Sequence, residues 1–188
     1  MSITSVFGIL SPEVAMSILD FLGLKKKKEE DATSETESVR EIVQKLDRME
    51  PERAKYIASF AYLLSRVANA DLNISEEETA AMERLVGEQG GLSEEQAILV
   101  VQMAKTHSKL FGGTENFLVA REFGQLATRE QKLGLLRCLF AVSAADESIS
   151  AAEDNEISLI ASELNIDHRE YTALKAEFKD YLAVLKKP

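Results

Sequence analysis

The chain has a single cysteine, Cys138, two histidines and no long uninterrupted apolar run. One cysteine on an apolar stretch excludes a disulfide framework and a thiolate metal cluster within the chain, and it reads as a small core residue in a reducing cytoplasm. His107 and His168 lie in polar, helix-flanking sequence with no Ser or Cys in a nucleophile context, so no catalytic triad is written here. The Gly-Gly pairs lack the phosphate-loop pattern, which leaves nucleotide binding without support. Basic residues are also in deficit. A formal charge of −10 argues against nucleic acid as partner, because phosphate contacts need a basic face, and it favours cations. The apolar residues from Met1 to Leu24 are interrupted by Pro12 and Asp20, lack a preceding positive charge and are too short to span a bilayer.

What is present is a segment written twice. Residues 63–86 align without gaps on residues 138–161 at a constant offset of 75 (146 − 71), with Val67, Ala70, Asp71, Ile74, Ser75 and Glu78 matched by Val142, Ala145, Asp146, Ile149, Ser150 and Glu153. In each copy an apolar helix ends at Ala-Asp, a polar loop follows, and Ile-Ser-x-x-Glu opens the next helix. Internal repetition reports a repeated supersecondary unit.

The expected fold is all-α, a bundle of about seven to eight helices in two related halves, preceded by an N-terminal amphipathic helix within 1–24 and a charged, flexible linker at 25–37. The helical domain then covers 38–188. Val39, Ile42, Val43 and Leu46 form one helical face, and an all-round apolar helix from Tyr56 to Val67 is the core helix of the first half. Ser75-x-x-Glu78, Ser93-x-x-Gln96, Thr128-x-x-Gln131, Ser150-x-x-Glu153 and Asp167-x-x-Glu170 each have the form of a capping box. Gly90-Gly91 and Gly112-Gly113 mark helix ends. A final helix is expected along the stripe Tyr171, Leu174, Phe178, Tyr181 and Leu185.

Asp71 with Glu78, and Asp146 with Glu153, each flank one loop. If the halves pack as a pseudo-twofold pair, four carboxylates could converge, and like charges at that range call for a cation between them. Oxygen-only donors select calcium or magnesium, with manganese after them, and no organic cofactor is implied. Asn69, Asn73, Glu77, Glu147, Ser148 and Asp154 are candidate accessory ligands. Neither loop is an EF-hand: Glu76 and Ala151 replace the turn glycine, and Met82 and Ile157 stand where a bidentate Glu is required. The alternative is structural. Ser75, Glu78, Ser150 and Glu153 suffice as caps, while Asp71 and Asp146 bond loop amides.

The blocks VANADLNISEEE and VSAADESISAAE, with IASELNI at 160–166, resemble the tellurite-resistance TerB family, whose domain is also seen at the N-terminus of DjlA co-chaperones. The likeness covers about Val39 to Leu185. It implies an all-helical fold of two related halves, divalent-metal binding by acidic residues carried here by Asp71, Glu78, Asp146 and Glu153, and a stress-response role often linked to membranes. The family often has Gly after the Asp, where this chain has Leu72 and Glu147. The expected function is therefore a non-enzymatic module that binds a divalent cation and acts as sensor or adaptor, cytoplasmic or peripheral at the inner membrane face. The rival is a metal-free scaffold working through the N-terminal helix, whose Val14, Ile18, Phe21 and Leu22 would meet a membrane or an unknown protein partner. Packing of this stripe on the chain's own core or on a second copy in a homodimer is favoured over a membrane, because Glu29, Glu30 and Asp31 offset the attraction of Lys25 to Lys28 for anionic lipid.

Overall fold

The computed structural model describes residues 34–68, 76–106 and 116–185. The described residues form an all-α bundle: α1 (Ser34–Asp47), α2 (Pro51–Val67), α3 (Glu76–Gly90), α4 (Glu94–Lys105), α5 (Asn116–Leu126), α6 (Arg129–Ser143), α7 (Ala151–Glu163) and α8 (His168–Glu177). α1 starts inside the segment read as linker. The N-terminal stripe of Val14, Ile18, Phe21 and Leu22, and most of the linker, lie outside the described residues.

Helix starts follow the local chemistry. Ser93 and Thr128 accept from the amides of Gln96 and Gln131, whose side chains reach back to the cap amides, so α4 and α6 open as reciprocal capping boxes. Pro51 occupies the first turn of α2, where its missing N–H removes no hydrogen bond. Asp167 departs from expectation. Its carboxylate takes the Arg169 amide at 2.9 Å, and the Glu170 side chain is drawn away to Arg129 on α6, an ion pair replacing the second arm of the box.

The repeat is visible in three dimensions. α3 and α7 begin at Glu76 and Ala151, the same 75-residue offset (151 − 76) as the sequence blocks. Both end in the same motif: the Leu92 N–H donates to Gly87 O across a left-handed Gly91 (φ 64°), and the Ile166 N–H donates to Ala161 O across a left-handed Asn165 (φ 55°). The halves pack across one another, α3 on α6 of the other half, while α7 touches α2 of the other half as well as α5 and α6 of its own. α2 is buried along almost its whole length, as its all-round apolar sequence requires. Its Tyr56 stacks on Phe123 of α5 at 5.1 Å, and Phe60 meets the same ring edge-on. Ile42 and Leu46 bury the face of α1 against this core, which also encloses Cys138.

The last expected helix is cut short. α8 stops at Glu177, and the chain continues as 3-10 turns at Lys179–Tyr181 and Ala183–Leu185, so Tyr181 and Leu185 are exposed rather than part of a buried stripe. Leu182 between them is buried and forms a parallel β-bridge with Ile149. Backbone pairing with a distant loop has replaced helical continuation.

Candidate metal-binding loops

The second acidic loop leaves α6 at Ser143 and passes through a 3-10 turn, Ala144–Asp146, closed by the Glu147 N–H donating to Ala144 O at 2.9 Å. Glu147 then adopts φ 59°, in the left-handed region that favours glycine. That is the position where the resemblance implies Gly, and the loop keeps the glycine conformation with a glutamate in it. Ile149 is buried, and its main chain is held on both sides: its N–H donates to Tyr181 O at 2.7 Å and its carbonyl accepts from the Ala183 N–H at 2.9 Å.

Ser150 caps α7. Its hydroxyl accepts from the Glu153 amide at 3.2 Å, and its own N–H donates to Glu153 Oε2 at 2.8 Å, so this capping box forms as its spacing predicts. The box fixes the Glu153 carboxylate over the first turn of α7. One lone pair is engaged by an amide, and a carboxylate has others to offer a cation.

The other candidates are placed as follows. Asp146 is the last residue of the 3-10 turn, and Glu77 and Glu78 lie in the first turn of α3, with the side chains of all three outside the described residues. Asp71 and Asn73, with the rest of the first loop, also lie outside them, as do Asn69 and His107. Glu147 and Ser148 are exposed at the loop surface. Asp154 has another partner: both its oxygens lie within 2.8 Å of Lys175 Nζ on α8, and that ammonium competes with any metal for the carboxylate. Tyr171, packed beside this pair, has its phenol pushed up by burial. Among the described residues no group of three or more His, Cys, Asp or Glu side chains is arranged to hold a metal ion.

The donor set present fits a hard cation. Every candidate is an oxygen ligand, and the buried Ser143 hydroxyl, three residues before Asp146, has no hydrogen-bond partner among the described residues.

A stronger charged cluster escaped the sequence reading. Arg66, near the end of α2, is 4% exposed and clamps two carboxylates of α7, its Nε at 2.7 Å from Glu156 and its Nη1 at 2.7 Å from Glu163. Burial works against the guanidinium's charge, but the hydrogen bonds from Glu163 and Glu156 outweigh it, and the proton is held more tightly than usual. The available signal was an arginine at the end of the apolar run Tyr56–Leu64.

Elsewhere, an open cavity of about 290 Å³ is lined by Glu50, Arg53, Tyr56, Leu126 and Gln131 among others. Arg53 is already stacked on Tyr56 and bonded to Gln96, so its charge is not held out for an anion. Among the described residues no helix is long and apolar enough to cross a membrane.

Fold and second loop together define a class: an all-helical module of two related halves, with an acid-bearing loop between a buried helix and a capped one in the second half. Residues 57–176 match the family model for the tellurite resistance protein TerB, and the chain belongs to that family. Neither the curated proteins nor the solved structures give a match.

Proposed function

We propose that this TerB-family protein is a non-enzymatic module that binds a hard divalent cation through its paired acidic loops and passes the bound state to a protein partner as sensor or adaptor. The observation that carries this reading is the exact doubling of Asp and Glu around equivalent loops. A single capped helix start needs one Ser and one Glu, but nothing in capping asks for the preceding Asp in both copies. The second loop supports it further, since Glu153 is fixed at the helix start and Glu147 keeps a strained conformation. Backbone strain of that kind persists where the surroundings over-determine it, often at ligand sites.

Calcium and magnesium are the expected ions, with manganese next. In this reading the cation acts by binding and not by activating a substrate. Thermal melting over a series of calcium, magnesium and manganese concentrations tests the reading. A folded-state ligand stabilises by RT ln(1 + [L]/Kd), about 2.7 kcal/mol at a hundredfold excess over Kd. The shift should be lost in Asp71→Asn/Asp146→Asn with helicity unchanged, whereas flat melting temperatures for all three ions would contradict it.

The metal-free scaffold keeps one observation in its favour: the Ser150–Glu153 box is complete without a cation. Under that reading the N-terminal stripe of Val14, Ile18, Phe21 and Leu22 makes the contacts, and the acids only cap helices. Sedimentation with anionic vesicles, with and without residues 1–30, distinguishes a membrane from a protein contact.

A further inference from the structure

We propose that the C-terminal segment Lys179–Leu185 is a strap that holds the second acidic loop in its cation-binding conformation, so that strap order and metal occupancy are coupled. The inference rests on the metal reading above and names the regulation of that site.

One continuous stretch of chain grips the two helices that flank the loop and, through the strap, the loop itself at Ile149. Lys175 on α8 holds Asp154 in the first turns of α7. Phe178, just past α8, stacks on Phe140 of α6 at 5.4 Å between ring centroids. Leu182 then lies opposite Ile149 in a parallel bridge, with both side chains buried, and its neighbours make the two main-chain hydrogen bonds: Tyr181 O accepts from the Ile149 N–H at 2.7 Å and the Ala183 N–H donates to Ile149 O at 2.9 Å. Ile149 lies between Asp146 and Glu153, and it directly precedes the Ser150 cap. The strap therefore fixes the backbone between the two carboxylate-bearing positions.

The loop orders its two ends itself, through the Glu147–Ala144 bond and the Ser150–Glu153 box, but not the Ile149 backbone between them. Glu147 is left-handed, which costs a non-glycine residue free energy and needs outside support. Each end of Ile149's peptide unit finds its partner in the strap. Release of the strap would leave these groups to water and let the loop relax. A site that must be ordered on binding has its affinity reduced by the fraction of molecules already competent, so the strap raises affinity by pre-organisation. Linkage makes the effect reciprocal: a cation that needs the ordered loop must tighten the strap by the same factor. The exposed Tyr181 and Leu185 side chains flank the buried Leu182, placing two apolar groups where a partner could sense whether the strap is seated.

Ala183→Pro removes the N–H that donates to the Ile149 carbonyl and is the direct test. Leu182→Ala, which keeps the backbone donors and removes the buried anchor, serves as the second variant, with circular dichroism checking that both remain helical. Calcium and manganese binding to the full chain is measured by calorimetry, and amide exchange is followed at Ile149 and Ala183 in the unaltered protein. The expected result is at least a tenfold weaker affinity in both variants, with metal slowing exchange at Ile149 and Ala183 in the parent. Equal affinity in folded variants and parent, or exchange at both amides indifferent to bound metal, would overturn the strap while leaving the metal reading intact. No binding to the parent chain would overturn both.

Discussion

The two halves share a plan but close their mutual contacts by different means. Where α3 meets α6, the backbones come close: a Cβ on Gly134 would sit 3.3 Å from the Gln89 carbonyl oxygen and 3.8 Å from that of Gly90. Where α7 meets α2, the contact is ionic, with Arg66 buried between Glu156 and Glu163. The repeat offset of 75 places Ser59 opposite Gly134 and Ala141 opposite Arg66, so neither solution is used twice. The fourth helices diverge in the same way: α4 buries six residues from Ala97 to Ala104, whereas α8 buries Tyr171 and Leu174 and hands over to the strap. What the halves retain in common is the helix start after each acidic loop and the left-handed helix end. The packing between them differs while the Asp, Ile, Ser and Glu of the two loop sequences are retained, as expected if those positions carry the function and any well-filled interface suffices elsewhere.

Breaking the ionic contact should have the largest effect. Arg66→Met leaves the nearly buried Glu163 without a counter-charge, and a loss of about 3 to 5 kcal/mol is expected in chemical denaturation. Adding Glu163→Leu should recover much of that loss, because an apolar pair of similar volume avoids the desolvation cost of the ions.

The close-approach contact comes next. Gly134→Ala pushes a methyl against backbone, which cannot move aside as a side chain would, and about 1 to 3 kcal/mol should be lost. Ser59→Ala at the equivalent position of α2 should cost less than about 1 kcal/mol, since its hydroxyl only bonds Lys55 O within the same helix. Equal losses at the two positions would mean that the interfaces are more alike than their side chains indicate.

The helix ends sharpen the comparison further. Gly91→Ala forces a Cβ into a left-handed position and should cost about 1 kcal/mol, while Asn165→Gly at the end of α7 should be near neutral. Melting of both single variants against the parent gives the difference.

The smallest effect concerns pH. Burial pushes the Cys138 thiol up to about 12 from an ordinary 9.0. Because the folded-state value is the higher one, the stabilisation from keeping the thiol protonated is complete below about pH 9 and is lost as pH rises towards 12. Burial likewise raises Tyr56, Tyr62 and Tyr171, so Cys138→Ala should flatten part of the alkaline decline and not all of it. A pH series of denaturation curves reads the slope.

The sequence made legible whatever is decided within a few residues. The caps at Ser93, Thr128 and Ser150 form as their Ser/Thr-x-x-Gln/Glu spacing predicts, because both partners lie in one turn, and the Ser93 box persists although Gln96 Oε1 also accepts from Arg53 of α2. Asp167 shows the limit, since Glu170 had an arginine within reach on another helix. The Arg66 clamp joins residues 90 and 97 positions apart, and the Ile149–Leu182 bridge likewise joins separate parts of the chain. Periodicity cannot announce such pairs. The end of α8 was misread for the same reason: Tyr181 and Leu185 continue a helical stripe on paper, but by leaving the helix the chain gains two backbone hydrogen bonds to Ile149, through the Tyr181 carbonyl and the Ala183 N–H. Of the candidate site, the Glu153 cap was legible. The Asp154–Lys175 pair was not, because Lys175 comes from another helix.

The central claim is that the doubled acidic loops hold a hard divalent cation, and the most direct test is the metal content of the protein itself. The full chain, purified without chelator and dialysed against micromolar calcium, magnesium and manganese, is analysed for bound metal beside Asp71→Asn/Asp146→Asn. The account predicts metal retained in stoichiometric amount by the parent and lost by the variant. Parent protein free of all three ions, or a variant that retains them equally, would contradict it.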